Sequence, residues 1–160
     1  MLAYQLQASS QTLAEGVAEY YAAHPGLAAA RGMSPQAQQF FRCHDVAHVV
    51  FGCGIDLDDE AVVKLSSIFG TTAGFGVLRG YTLHESRQIY AQLPLRESLR
   101  SVVHAFVVVP RTLLRCSRQR ARWPWDDFES FLELPLREIR QRFGITVARG
   151  VPALRGAIGS

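Results

Sequence analysis

Ser34-Pro35-Gln36-Ala37-Gln38-Gln39-Phe40-Phe41-Arg42-Cys43-His44-Asp45-Val46-Ala47-His48-Val49-Val50-Phe51-Gly52 is the stretch on which the fold turns. It reads as one helix with both ends marked. Ser34 can cap the start, because its hydroxyl accepts a bond from an otherwise unpaired first-turn amide. Pro35 suits the first helical position, where no amide donor is needed. Phe40, Phe41, His44, Ala47, His48, Val50 and Phe51 carry the helix on, and Gly52 and Gly54 end it, since glycine tolerates the left-handed backbone of a helix terminus.

The flanking segments follow the same period. Ser10 to Ala23 places Leu13, Val17, Tyr20 and Tyr21 at helical spacing, with Pro25 and Gly26 closing it. Downstream, Asp56 or Asp58 can cap a helix that begins near Asp59 and Glu60 and runs through Val62, Val63, Leu65, Ile68 and Phe69 to about residue 72. Gly70, Gly74, Gly76 and Gly80 come next. No strand precedes these glycines, so they predict close helix packing or a loosened helix end and not a phosphate cradle. Further helices are expected over Leu83 to Leu93, Leu95 to Val109 and Arg111 to Arg122, with Pro110 as a kink or first-turn residue. Trp123-Pro124-Trp125 breaks the pattern, Asp126 or Asp127 opens a short helix, and Leu136 to Phe143 forms a last one stopped by Gly144. Ile145-Thr146-Val147 is the only strand-like run. The expected fold is all-α, a single-domain helical bundle over residues 1–160.

Composition bounds the functions open to such a chain. Its 160 residues, 48% hydrophobic and 19% charged, suffice for one core, and a domain of this size folds without a structural metal or disulfide. Any metal site must then be argued from chemistry. Cys43, Cys53 and Cys116 are an odd number with no C-x-x-C pair, which points to a reducing compartment and a cytoplasmic protein. The first ten residues lack the basic and apolar regions of a signal peptide. The longest apolar stretch, Val102 to Val109, is far short of the ~20 residues that span a bilayer. The net charge of +3 is unevenly spread: residues 1–95 carry five basic and eight acidic side chains, residues 96–122 carry seven arginines and one glutamate, and the remainder balances. Lys64 is the only lysine against sixteen arginines, a ratio that by itself indicates no function.

His44-Asp45-Val46-Ala47-His48 carries the chemistry. Residues four apart on a helix lie about 40° from each other around its axis, so both imidazoles can reach one metal ion, as in H-E-x-x-H zinc sites. Glu60 follows after eleven intervening residues, and the glycines at 52 and 54 imply a turn that folds it back toward His48. Imidazole and carboxylate donors suit zinc, iron or manganese better than calcium. The ordinary alternative is that His44 and His48 are packed core histidines.

His44-Asp45-x-x-His48, eleven residues and Glu60 resemble the signature of the ubiquinone (coenzyme Q) biosynthesis protein family of COQ-four type. The run from Trp125-Asp126-Asp127-Phe128 through Leu134-Pro135-Leu136-Arg137-Glu138-Ile139-Arg140 to Phe143-Gly144-Ile145 is similar to that family's closing segment, in a chain short through its middle and with Ala47 where members often carry a bulky aromatic. The resemblance implies a helical protein with a divalent metal site of which His44, Asp45, His48 and Glu60 are the matching ligands. Zinc is the expected ion, with iron, manganese and magnesium as alternatives. It also implies a prenylated quinone precursor or other isoprenoid lipid as ligand, and support for (oxidative) decarboxylation of its ring, with Asp45 as ligand or proton-transfer group. Other ubiquinone-pathway proteins are the implied partners, at the anionic surface of the inner membrane, and a homodimer is expected. A non-catalytic scaffold that presents the precursor to other enzymes is the competing class.

Two further metal readings compete. An HD-type phosphohydrolase would recruit His24 and Asp126 or Asp127, but leaves His48 and Glu60 without a role. A zinc knot of Cys43, His44, His48 and Cys53 is disfavoured because residues 43 and 44 point about 100° apart on a helix. His84 and His104 stand on apolar helices as packed polar residues. Arg111, Arg115, Arg118 and Arg122 recur at steps of four, three and four, predicting one basic stripe on a helix, either a solvated face or a contact for anionic lipid heads. Nucleic acid is not expected, since no recognised binding motif accompanies the stripe. Ile68, Phe69, Phe75, Val77, Leu78, Val103, Phe106 and Val107 are candidates for an apolar channel or for ordinary core.

Overall fold

The computed structural model describes residues 1–27, 33–81 and 98–148. Its helices are α1 (Leu13–Ala23), α2 (Pro35–Phe51), α3 (Leu57–Phe69), α4 (Val77–Tyr81), α5 (Ser98–Ser117) and α6 (Leu136–Phe143), with single 3-10 turns at Ala3–Gln5, Gly74–Gly76 and Glu129–Phe131. No strand occurs among the described residues, and the fold is all-α. The helix expected over Leu83 to Leu93 lies outside the described residues.

The helix boundaries follow local chemistry. Thr12 starts α1, accepting from the Glu15 amide at 3.1 Å while the Glu15 carboxylate accepts from the Thr12 amide at 2.8 Å. The start falls later than Ser10 because the Ser9 and Gln11 carbonyls are engaged by the first amides of α6. Ser34 and Pro35 open α2 as expected, and Gly52, at φ 71°, ends it. A side chain there would be strained and would meet Val147. Asp56 caps α3, accepting from the Asp59 amide at 3.0 Å, so the helix begins at Leu57 and ends at Phe69. Asp58, Asp59 and Glu60 fill its first turn, where the helix dipole favours acids.

Four expectations are corrected. Pro110 does not divide two helices: it lies inside the continuous α5, with Val108 and Thr112 buried on either side of it. The missing amide costs one helical bond, while packing of α5 on α3 holds the rest in line. The helix also stops at Ser117, so Arg118, Arg120 and Arg122 lie beyond it, and the expected stripe of Arg111, Arg115, Arg118 and Arg122 is not one helical face. The chain leaves its helical course because the Arg120 amide bonds the Phe143 carbonyl at 2.9 Å, closing the end of α6. Asp126 and Asp127 open no helix; only the 3-10 turn at Glu129–Phe131 follows. Ile145 to Val147 forms no strand, since the Val147 amide bonds the Gln7 side chain and the Ala148 amide bonds the Phe51 carbonyl.

Helix α2 is the axis of the molecule. Every residue from Cys43 to Cys53 is buried, the pattern of a helix enclosed on all sides. It packs against α1, α3, α6 and the N-terminal turn. Tyr4, Leu13, Tyr20, Val46, Val49, Val50, Leu136 and Ile139 share the core around it, and Trp123, Phe131 and Phe143 close one end, with Phe143 edge to face against both Trp123 and Phe131. Gly80 allows close helix approach: a Cβ there would strike the Phe40 ring. The packing role expected of the glycine-rich stretch is met at that position.

Candidate metal centre

Because α2 is central, its two histidines are pressed into the core, where each polar atom needs a partner. His48 is 1% exposed and His44 5%. The rings are 4.7 Å apart, Tyr20 stacks on His48 at 5.3 Å and Phe40 on His44 at 6.1 Å. The turn after Gly52 folds α3 back along α2. Glu60 thereby brings Oε2 to 3.2 Å from His48 Nε2 and Oε1 to 3.5 Å from His44 Nε2. The donor atoms of His44, His48 and Glu60 all lie within 4.8 Å of one another.

This set fits a divalent ion. Two ligands of a tetrahedral ion at about 2.1 Å stand about 3.4 Å apart, close to the two nitrogen–oxygen separations seen here. His48 Nδ1 is 2.7 Å from the Gly54 carbonyl, which can only accept, so Nδ1 carries a proton and Nε2, on the Glu60 side, is the atom that would bind an ion once its own proton is displaced. The Gly54 peptide is held in turn, its amide donating to Asp59 Oδ2 at 2.6 Å. Tyr4 donates its hydroxyl to the neighbouring Cys53 carbonyl at 2.9 Å.

Charge is balanced within the same cluster. Burial opposes ionisation of Glu60, but hydrogen bonds from His44 and His48 outweigh it and hold the carboxyl far below the usual range. Burial likewise pulls His44 down, yet the Asp45 and Glu60 carboxylates beside it leave its pKa above the ordinary value.

Of the residues expected at the site, His44, His48 and Glu60 converge, and Asp45 stands beside them. Its Oδ2 accepts from the Tyr21 hydroxyl at 2.8 Å and its Oδ1 is 3.9 Å from His44 Nδ1, too long for a hydrogen bond. Arg111, Arg118 and Arg122 are exposed, and Arg115 is half-buried, donating to Thr112 Oγ1 at 3.3 Å. The rival sites do not assemble. Cys43 faces Gln39 and Asp126, Cys53 faces the Phe51 carbonyl, and neither sulfur joins the histidines. Burial pushes the Cys43 thiol up to about 12, so it is no thiolate donor at neutral pH. His24, Asp126 and Asp127 stand outside the cluster. Among the channel candidates Val77 is core, whereas Phe75, Leu78 and Val107 are exposed; the side chains of Val103, His104 and Phe106, and all of His84, lie outside the description.

Sequence reasoning missed Tyr20, Tyr21, Asp59 and Lys64. Lys64 alone left a signal, a single lysine one helical turn after Glu60. No family model, no curated protein and no solved structure matches the chain, so the case for this centre rests on its own residues.

Proposed function

We propose that the chain is a metal-dependent protein of ubiquinone biosynthesis that binds a prenylated quinone precursor and supports removal of its ring carboxyl group. The convergence of His44, His48 and Glu60 carries this reading, because it joins the residues of the family-like motif into one three-donor cluster. Three protein ligands leave a coordination position for substrate, the arrangement of catalytic and not structural zinc sites. A divalent ion there, zinc by choice, with iron, manganese or magnesium as alternatives, supplies Lewis acidity that stabilises negative charge on a ring oxygen.

The protein's own groups do the rest. The Gly54 carbonyl holds the His48 proton at Nδ1, and Tyr20 fixes the ring plane. The electron pair of the broken carbon–carbon bond stays on the ring carbon, which takes a proton as carbon dioxide leaves. Asp45, anchored at Oδ2 by Tyr21, leaves Oδ1 as the proton-transfer atom. The isoprenoid tail places the protein at an anionic inner-membrane surface on the cytoplasmic side, beside other proteins of the pathway and as a homodimer. The charge of Arg111, Arg118 and Arg122 supports that placement. No helix among the described residues is long and apolar enough to cross a membrane.

The test is carboxyl release from a prenylated hydroxybenzoate by purified protein, before and after chelation. Metal-dependent release is expected. Retained binding of the precursor without turnover under any metal would replace this reading with a precursor-presenting scaffold.

A further inference from the structure

The chain places its only lysine beside the metal centre. Lys64 lies one turn after Glu60 on α3, so both side chains share a face, and its ammonium is 3.5 Å from Glu60 Oε1, the oxygen that also faces His44. A surface Glu–Lys pair at this spacing is common and contributes little. This one is different in its surroundings, since its glutamate is 19% exposed and pairs two histidines exposed by 6% and 1%.

Metal binding alone gives no reason for a cation at this position. An ion held by His44, His48 and Glu60 would have the Lys64 ammonium one carboxylate oxygen away, and like charges in a desolvated setting repel. With neutral imidazoles, Glu60 and Lys64 cancel, so a divalent ion would leave the immediate donor set at +2, with the Asp45 and Asp59 carboxylates farther out as balancing charges. Positive charge at the donor set favours an anionic ligand on its open side. Exposure shows where it arrives: Lys64 is 35% exposed, the most open side chain of the group. Its compact ammonium with three rotatable donors can leave Glu60 for an incoming oxygen, whereas a planar guanidinium would demand a fixed two-bond geometry.

We infer that Lys64 is the anion-binding residue of this centre, pairing with the carboxylate of an aromatic acid whose other oxygen contact is the metal. The inference rests on the metal-centre reading and assigns the charge class of the ligand together with the residue that selects it. An arylcarboxylate bound in this way has its carboxyl group gripped at the edge of the site, while neutral aromatics of the same shape lack the second contact.

The test uses the full-length protein loaded with cobalt(II), whose visible absorption reports changes in its ligands. It is titrated with 4-hydroxybenzoate and, as a neutral isostere, 4-hydroxybenzamide. Wild type is expected to bind the carboxylate more tightly than the amide. Lys64→Gln should weaken carboxylate binding on the order of tenfold, the low end for a charge-assisted bond at a partly exposed group. The same variant should leave amide binding unchanged and bind cobalt as tightly as wild type or tighter, because a neighbouring cation has been removed. Lys64→Arg should recover most of the carboxylate affinity. Equal carboxylate affinity in wild type and Lys64→Gln would overturn the role of Lys64, as would loss of cobalt binding in Lys64→Gln or failure of cobalt-loaded wild type to bind 4-hydroxybenzoate. Absence of cobalt binding by the wild type would instead refute the metal centre itself.

Discussion

Replacing Arg140 by methionine should be among the most damaging single changes outside the metal centre. Arg140 is 1% exposed and spends its guanidinium on backbone. Nε donates to the Val50 carbonyl at 3.0 Å, Nη2 to Val49 at 2.8 Å and to Tyr4 at 2.6 Å, and Nη1 to Leu6 at 2.5 Å. Burial pushes its pKa down only to about 10, so the group remains charged at neutral pH. A cation at the carboxyl end of α2 also opposes that end's partial negative charge. The Val49 and Leu6 carbonyls keep a second donor, the amides of Gly52 and Ser9, whereas those of Tyr4 and Val50 rely on Arg140 alone among the described residues. Orphaning those two groups costs about 1–3 kcal/mol each, or ~2–6 in sum. Methionine recovers part of this, since it fills the volume and carries no charge to desolvate, which leaves about 3 kcal/mol. For a chain of this length that lowers the melting temperature by ~6–12 °C. Equilibrium urea unfolding by circular dichroism would measure it as a lower midpoint at unchanged slope. Because Val49 and Val50 follow His48 directly, metal affinity should fall as well. A loss below about 1 kcal/mol would show that the four carbonyls are satisfied without the guanidinium, and the reasoning would fail.

Three other expectations concern the site and the surface. Glu60→Gln keeps the shape but loses the charged metal donor, so a zinc concentration that stabilises wild type by ~2.7 kcal/mol, a hundredfold above its dissociation constant, should raise the variant's melting temperature little; an equal rise in both proteins would remove Glu60 from the centre. The raised His44 and lowered Glu60 pKa values describe one interaction seen from its two ends. Its contribution to the metal-free protein is present below the ordinary histidine value of 6.5 and fades as pH rises through the elevated one, and it is present above the ordinary glutamate value of 4.5 and fades as pH falls. Metal needs neutral His44, so zinc stabilisation should grow with pH above 6.5, and melts with chelator or zinc from acid to alkaline pH would contradict this if zinc helped most in acid. Finally, changing Arg111, Arg118 and Arg122 to glutamine should weaken co-sedimentation with anionic vesicles in low salt; equal, salt-insensitive binding by both proteins would leave the arginines as solvated charge.

What the sequence determined by itself was local. The Ser34-Pro35 start and Gly52 stop of α2, the shared face of His44 and His48, and the turn that returns Glu60 to them all depend on residues close in the chain, where helix geometry converts spacing directly into position. Even the all-α class followed, because amphipathic period and end signals agreed along most of the chain. Pro110 shows where local rules lose: one absent amide is a small penalty against the packing of a long helix, so α5 runs through it. The arginine spacing misled for the opposite reason, since a bond from Arg120 to Phe143, distant in sequence, ended the helix that the spacing assumed. Arg140 on the end of α2, Tyr21 on Asp45 and Tyr20 over His48 were decided only in the tertiary structure. Each joins segments far apart in the chain, and nothing in the spacing of one segment specifies which polar group of another it will meet once both are pressed into a core where every buried donor and acceptor must find a partner.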